Sequence, residues 1–281
     1  MKLRHPGHCR TRRVLLATLA APLGLVLSAS DARAADDARA PRDVADRAPV
    51  AEAAVAPQPW LYLDDPTLPA VLHVVARSRV TYTDSASPSR AFGANVARSG
   101  AVIALGAEAG LLPWLSVVAD AFGAASRPET GLVAGLRIAP IAIDGGTHLV
   151  VSAGYLRELS GGSGAWGRVS LTQEVGRARL AATAHAERVF VTGRDAVDIM
   201  VMAGASYEVW RPLRLGVEYV AQDLEGAVDP EEAERGVRHF VGPTASLELL
   251  ARRLSVTAGP AIGLSSESPA LLGRVGVAYS Y

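Results

Sequence analysis

The chain is poor in the residues that carry most site chemistry. It has one cysteine, Cys9, and one lysine, Lys2; aromatic residues make up 5% of it. After residue 34 it has no run of about 18 apolar residues, so no transmembrane helix is expected there. Cys9 lies ahead of the first apolar stretch, not at its end where a lipid-attachment cysteine belongs. The rest of the chain has no thiol, which excludes disulfides and thiolate metal sites. No G-x-S-x-G, H-E-x-x-H, P-loop or EF-hand spacing occurs in the sequence, so the common hydrolase, metalloprotease, nucleotide and calcium motifs are all missing. The near-absence of lysine leaves arginine as the basic residue. A coding bias towards Arg and Ala accounts for that without a headgroup-binding role.

The first 34 residues read as a secretory signal peptide. Lys2, Arg4, Arg10, Arg12 and Arg13 form a positive start, Val14 to Ala29 an apolar stretch, and Ala32-Arg33-Ala34 a small-residue cleavage site. The remainder keeps 22 basic and 27 acidic residues, a net charge of about −5. Such mild acidity gives no case for nucleic-acid binding. Residues 35–69, rich in Ala, Pro, Asp and Arg and without apolar period, read as a disordered periplasmic lead-in. "PWLYL" at 59–63 is apolar enough to dock somewhere but carries no motif.

From residue 70 to 281 the pattern changes to twelve alternating segments. In the first, Leu72, Val74, Ala76, Val80 and Tyr82 share one parity. In the ninth, Leu213, Leu215, Val217 and Tyr219 alternate with Arg214, Gly216 and Glu218. Across the set the off-face residues read as Arg, Glu, Asp, Ser, Thr and Gly, leaving no second apolar face for another sheet to pack on. The segments are about 9–12 residues long, suited to a tilted strand crossing hydrocarbon and longer than the ~5–6 of soluble strands. Short links such as "VGRA" and "VWRP" alternate with long polar ones such as "DSASPSRAFGANVARSG". That asymmetry fits periplasmic turns and extracellular loops, with both termini of the chain on the short-turn side.

The chain ends "VGVAYSY", with Val275, Val277, Tyr279 and Tyr281 on one parity. This ending resembles the C-terminal signal of bacterial outer-membrane β-barrel proteins, whose last strand is recognised by the barrel-assembly machinery. The resemblance covers residues 70–281 by pattern. It implies an all-β, transmembrane, antiparallel up-and-down barrel of about twelve strands in the outer membrane, with lipid and the assembly machinery as partners and no cofactor. Oligomeric state is left open. One departure is the low aromatic content, thin for two interfacial girdles. Tyr82, Phe122, Tyr155, Phe190, Tyr207, Trp210, Tyr219 and Tyr279 nonetheless fall near segment ends.

Charged residues gather at the short turns. Glu108, Glu174, Glu208 and Glu248 close outgoing segments on the polar face; Trp114, Arg179, Arg214 and Arg253 open the returns on the same face. The spacing predicts three Glu–Arg pairs around one rim. Their structural reading is that they pin hairpin register; their functional reading is an ion-selecting constriction. By parity His73, Arg77, Arg79, Asp120, Arg137, Glu158, Arg168, His185, Glu187 and Glu218 also point inward, a mixture of signs that reads as a salt-bridged interior. His185 and Glu187 are too few for a metal claim. The acidic "DLEGAVDPEEAERG" reads as a solvated helical loop beginning at Asp229-Pro230 and stopping at Gly236.

Outer-membrane phospholipases and lipid A deacylases place a His and a Ser together on the barrel surface. Of His73, His148, His185 and His239 none begins H-x-S, and only His239 falls outward near the long-loop rim. No catalytic residue is therefore assigned. The leading expectation is a small porin-like channel for ions or small solutes. The alternatives are a non-conducting structural or adhesive barrel acting through its loops, and a membrane-embedded lipid hydrolase.

Overall fold

The structure is a computed structural model. It describes Trp60, Leu63 and residues 67–83, 100–124, 130–143, 146–159, 162–191, 197–224 and 237–281. The signal peptide and the helical reading of residues 229–236 lie outside the described residues, as does most of the lead-in.

Twelve strands follow one another: β1 (Val74–Thr83), β2 (Gly100–Leu112), β3 (Leu115–Ala124), β4 (Thr130–Ile143), β5 (Thr147–Glu158), β6 (Ser163–Val175), β7 (Ala178–Val189), β8 (Asp198–Trp210), β9 (Leu213–Gln222), β10 (Arg238–Leu249), β11 (Leu254–Gly263) and β12 (Leu271–Ser280). Each pairs antiparallel with its sequence neighbours, and β1 pairs with β12 from Val75↔Ser280 to Thr83↔Leu272, closing the barrel. The Tyr281 N–H donates to Val74 O at 2.9 Å, so hydrogen bonding continues to the last residue. Closure leaves no unpaired strand edge, the requirement for a sheet surrounded by lipid. At one end the strands are joined by links as short as the two residues between β2 and β3, β6 and β7, or β8 and β9; at the other the links run to 16 residues between β1 and β2.

The alternation decides which wall each side chain joins. Leu105, Leu132, Leu136, Val169, Leu215 and Val275 stand exposed on the outside, where water would penalise so continuous an apolar surface and hydrocarbon would not. Aromatic rings gather towards both ends of this wall. Tyr82, Tyr155 and Phe190 are exposed near the long loops; Trp114, Tyr207, Trp210 and Tyr281 are exposed near the short turns. Phe122, on the inward parity with Ser116 and Asp120, is buried beside Val118, Val133 and Trp166 and so is no part of these girdles.

The interior is less polar than the parity suggested. Ser116, Ser152, Ser170, Thr183, Ser246 and Thr257 line it and are buried. Hydroxyls pair across strands, Thr183 with Ser170 at 3.2 Å and Thr257 with Ser246 at 3.0 Å. Two apolar clusters also occupy it, one around Phe122 and Trp166, the other around Met200, Met202, Val220 and Phe240. These residues fill space inside the barrel, where no lipid reaches, so they form a core in the sense a soluble protein has one.

Candidate functional site: the bore and its short-turn rim

The rim charges come first because turn length sets them. A two-residue link between β6 and β7 places Glu174 opposite Arg179, and the two form an ion pair. Between β8 and β9, Glu208 faces Arg214, with an oxygen–nitrogen separation of 3.7 Å. Glu208 also meets Arg211 at 3.6 Å and Arg252 at 3.7 Å. The third expected pair is different. Glu248 lies opposite Ser255 and binds Arg252 at 3.2 Å; Arg253 is exposed. The cause is the β10–β11 link, where Leu250, Ala251 and Arg252 all take positive φ and bring Arg252 back over the strand end. Arg252 thereby bridges Glu208 and Glu248. The rim carries a charged arc over β8–β11 with the Glu174–Arg179 pair beside it.

Glu108 is not a rim residue. It is buried on β2, where the Ser116 hydroxyl donates to it at 2.6 Å. Arg137 pairs with it from β4, and Arg77 approaches from β1 at 3.6 Å. Arg77 also reaches Asp120 at 3.5 Å. Trp114, expected to share its face, stands exposed in the turn. His73 is a second correction: it precedes β1 and is exposed, because Leu72 takes a positive φ and the strand begins only at Val74.

Deeper in, the other parity assignments hold their places. Arg168 lies over the Trp166 ring, 5.6 Å from its centroid. His185 Nε2 lies 3.2 Å from Glu187 Oε2, both fully enclosed. Arg168 and His185 are opposite each other across β6 and β7, as are Trp166 and Glu187. Arg79 faces a cavity of about 30 Å³, room for about one water, lined also by Trp60, Arg77 and Asp120. Glu218 is 1% exposed and accepts a hydrogen bond from the Leu63 N–H at 3.1 Å.

Sequence reasoning passed over three contributors. Arg274 donates from Nε to Thr81 Oγ1 at 2.9 Å across the β1–β12 seam, and its parity opposite Val275 marked it as inward. Arg238 pairs with Asp223 at 3.3 Å where β9 leads into its loop; there the positive φ of Asp223 sets the geometry. The third is the pair Trp60 and Leu63, which sit inside the barrel and for which the sequence carried no motif.

His239 does lie near the long-loop end. Its ring Nδ1 meets the Tyr219 hydroxyl at 2.6 Å. Ser268 is nearby, but its hydroxyl bonds the His239 backbone, accepting from N–H and donating to the carbonyl, each at 3.0 Å. That arrangement ties the β11–β12 loop to β10; it does not set a nucleophile against a base. Among the described residues no group of three or more His, Cys, Asp and Glu is placed to hold a metal ion.

Neither a family model nor a curated protein sequence matches the chain. Solved structures do. The KdgM porin superposes with a TM-score of 0.53 at 9% identity, over 74% of this chain and 99% of its own. The NanC porin gives 0.51 at 8%, over 73% and 98%. An outer membrane channel from Pseudomonas putida F1 gives 0.50 at 11%, over 77% and 98%. Identities this low speak to fold, and the fold is that of a bacterial outer-membrane, porin-like β-barrel.

Proposed function

We propose that the protein is a small porin-like channel of the bacterial outer membrane, delivered there behind a cleaved signal peptide, which passes ions or small solutes. The observation that carries this reading is the inner wall. Ionisable side chains follow one another from the Glu208–Arg252–Glu248 arc at the rim, through Glu108, Arg137, Arg77 and Asp120, to His185, Glu187 and Glu218. Pore selectivity commonly comes from charged side chains facing the permeant ion, and these line the wall along its length. The fold it shares with structures titled as porins and as a channel supports the same reading.

A second reading rests on the packing. Val150 and Phe240 are 0% and 1% exposed inside the barrel, as in a solid core. A non-conducting barrel that binds partners through its long loops would look like this. Single-channel recording of the refolded barrel in a planar bilayer separates the two. Discrete current steps are expected, with cation preference reduced in Glu174→Gln and Glu208→Gln. A heat-modifiable, correctly folded barrel that stays silent in every variant would move the function to the loops. Lipid hydrolysis abolished by His239→Ala would instead make it an enzyme.

A further inference from the structure

We propose that the inner wall of β8–β10 is a receptor site for this chain's own lead segment, and that Trp60 and Leu63 seated there form a plug that closes the bore. This rests on the channel reading above.

Both residues are buried as completely as the strand residues around them, at 4% and 2% exposure, and they complete the cluster of Met200, Met202, Val220 and Phe240. The seat is shaped for them. Gly204 lies at mid-strand in β8, opposite Glu218. A Cβ at Gly204 would fall 2.5 Å from Leu63 Cδ1 and 3.0 Å from Trp60 Cζ3, so both side chains lie directly against the bare backbone at this position. Glu218 completes the seat by accepting the Leu63 N–H.

Trp60 lies within the bore. On one side its ring lies over Gly204 of β8. On the other it lines the small cavity with Ala104 and Gly106 of β2, Arg77 and Arg79 of β1 and Asp120 of β3. β8 and β2 are six strands apart in a ring of twelve, hence diametrically opposite. The indole therefore sits between opposite walls, against β8 on one side and with the small cavity between it and β2 on the other.

The segment comes in through the short-turn mouth. Val71 bridges to Gly110 near the end of β2, the Leu72 N–H donates to Gly110 O at 2.9 Å, and the His73 N–H donates to Ala70 O at 2.9 Å. Thirteen residues separate Trp60 from Val74 at the start of β1. The buried indole Nε1 has no partner among the described residues, and a buried N–H without one loses its hydrogen bond to water.

The test uses the full chain with the paired substitutions Leu63→Cys and Gly204→Cys; no other cysteine follows residue 34. After oxidation both thiols should resist a polyethylene-glycol maleimide, and regain reactivity with dithiothreitol. Free thiols after oxidation overturn the placement. In a planar bilayer the oxidised barrel should be silent and the reduced one conducting. Trp60→Ala with Leu63→Ala should raise open probability about tenfold over the unsubstituted chain. Equal currents in oxidised and reduced barrels overturn the plug while leaving the channel standing. Protected thiols with silence in every form, the alanine pair included, overturn the channel reading and the gate with it.

Discussion

Glu108 shows how a single charge is made tolerable inside the barrel. The carboxylate is 3% exposed and held from three other strands, by Ser116 on β3, Arg137 on β4 and Arg77 on β1. Such a cluster is weak evidence of stability in itself, because desolvating the ions offsets much of their attraction. Breaking it is a different matter. Arg137→Ala leaves the carboxylate enclosed, with Arg77 at 3.6 Å as its cation. The expected loss is about 1–3 kcal/mol, read as a lowered urea midpoint of the lipid-refolded barrel. Adding Glu108→Gln should recover part of it, since the amide needs no counter-charge. An unchanged midpoint for Arg137→Ala would mean that water already reaches Glu108.

Strands respond as units, because one parity meets lipid and the other the bore. On β9, Val217 is 46% exposed while Glu218 beside it is 1% exposed. Val217→Arg near mid-strand should cost about 2–4 kcal/mol in vesicles and far less in a detergent that lets the guanidinium reach water; equal effects in the two media would mean that this wall does not face hydrocarbon. This face was legible in the sequence because every outward position on β9 had to be apolar. The inward face was harder to read. Met200 and Met202 share parity with Gly204 and Ser206, and only closure of the barrel makes their surroundings a protein core. Rim pairs were legible where the link has two residues, as at Glu174 and Arg179, since register then follows from turn length. Glu248 was misassigned by one residue because Leu250, Ala251 and Arg252 form a left-handed turn without glycine, which no turn rule anticipates. Trp60 was legible only as part of an apolar stretch able to dock, not in where it docks: its partners lie on strands far along the chain, and no motif marks it.

The molecule as a whole has a direction, and its proposed function depends on it. The charged arc and the mouth through which the lead segment passes are at the same end, the end of short links. If the short links face the periplasm, the plug is set and withdrawn from inside the cell envelope, and the long loops are left to the exterior. Cysteine labelling decides the matter. Arg211, with its side chain 79% exposed, caps the β8–β9 link, and Ser266 is exposed in the β11–β12 loop. On intact cells a membrane-impermeant maleimide should label Ser266→Cys and not Arg211→Cys; permeabilising the outer membrane should make both reactive. The reverse pattern would turn the barrel over. The rim arc would then meet solutes from outside first, and, with the proposed signal peptide, the lead segment would have to cross the membrane to reach its own seat. The short tether between Leu63 and the start of β1 argues against that crossing, so the label at Arg211 tests the orientation and the plug's side of approach together.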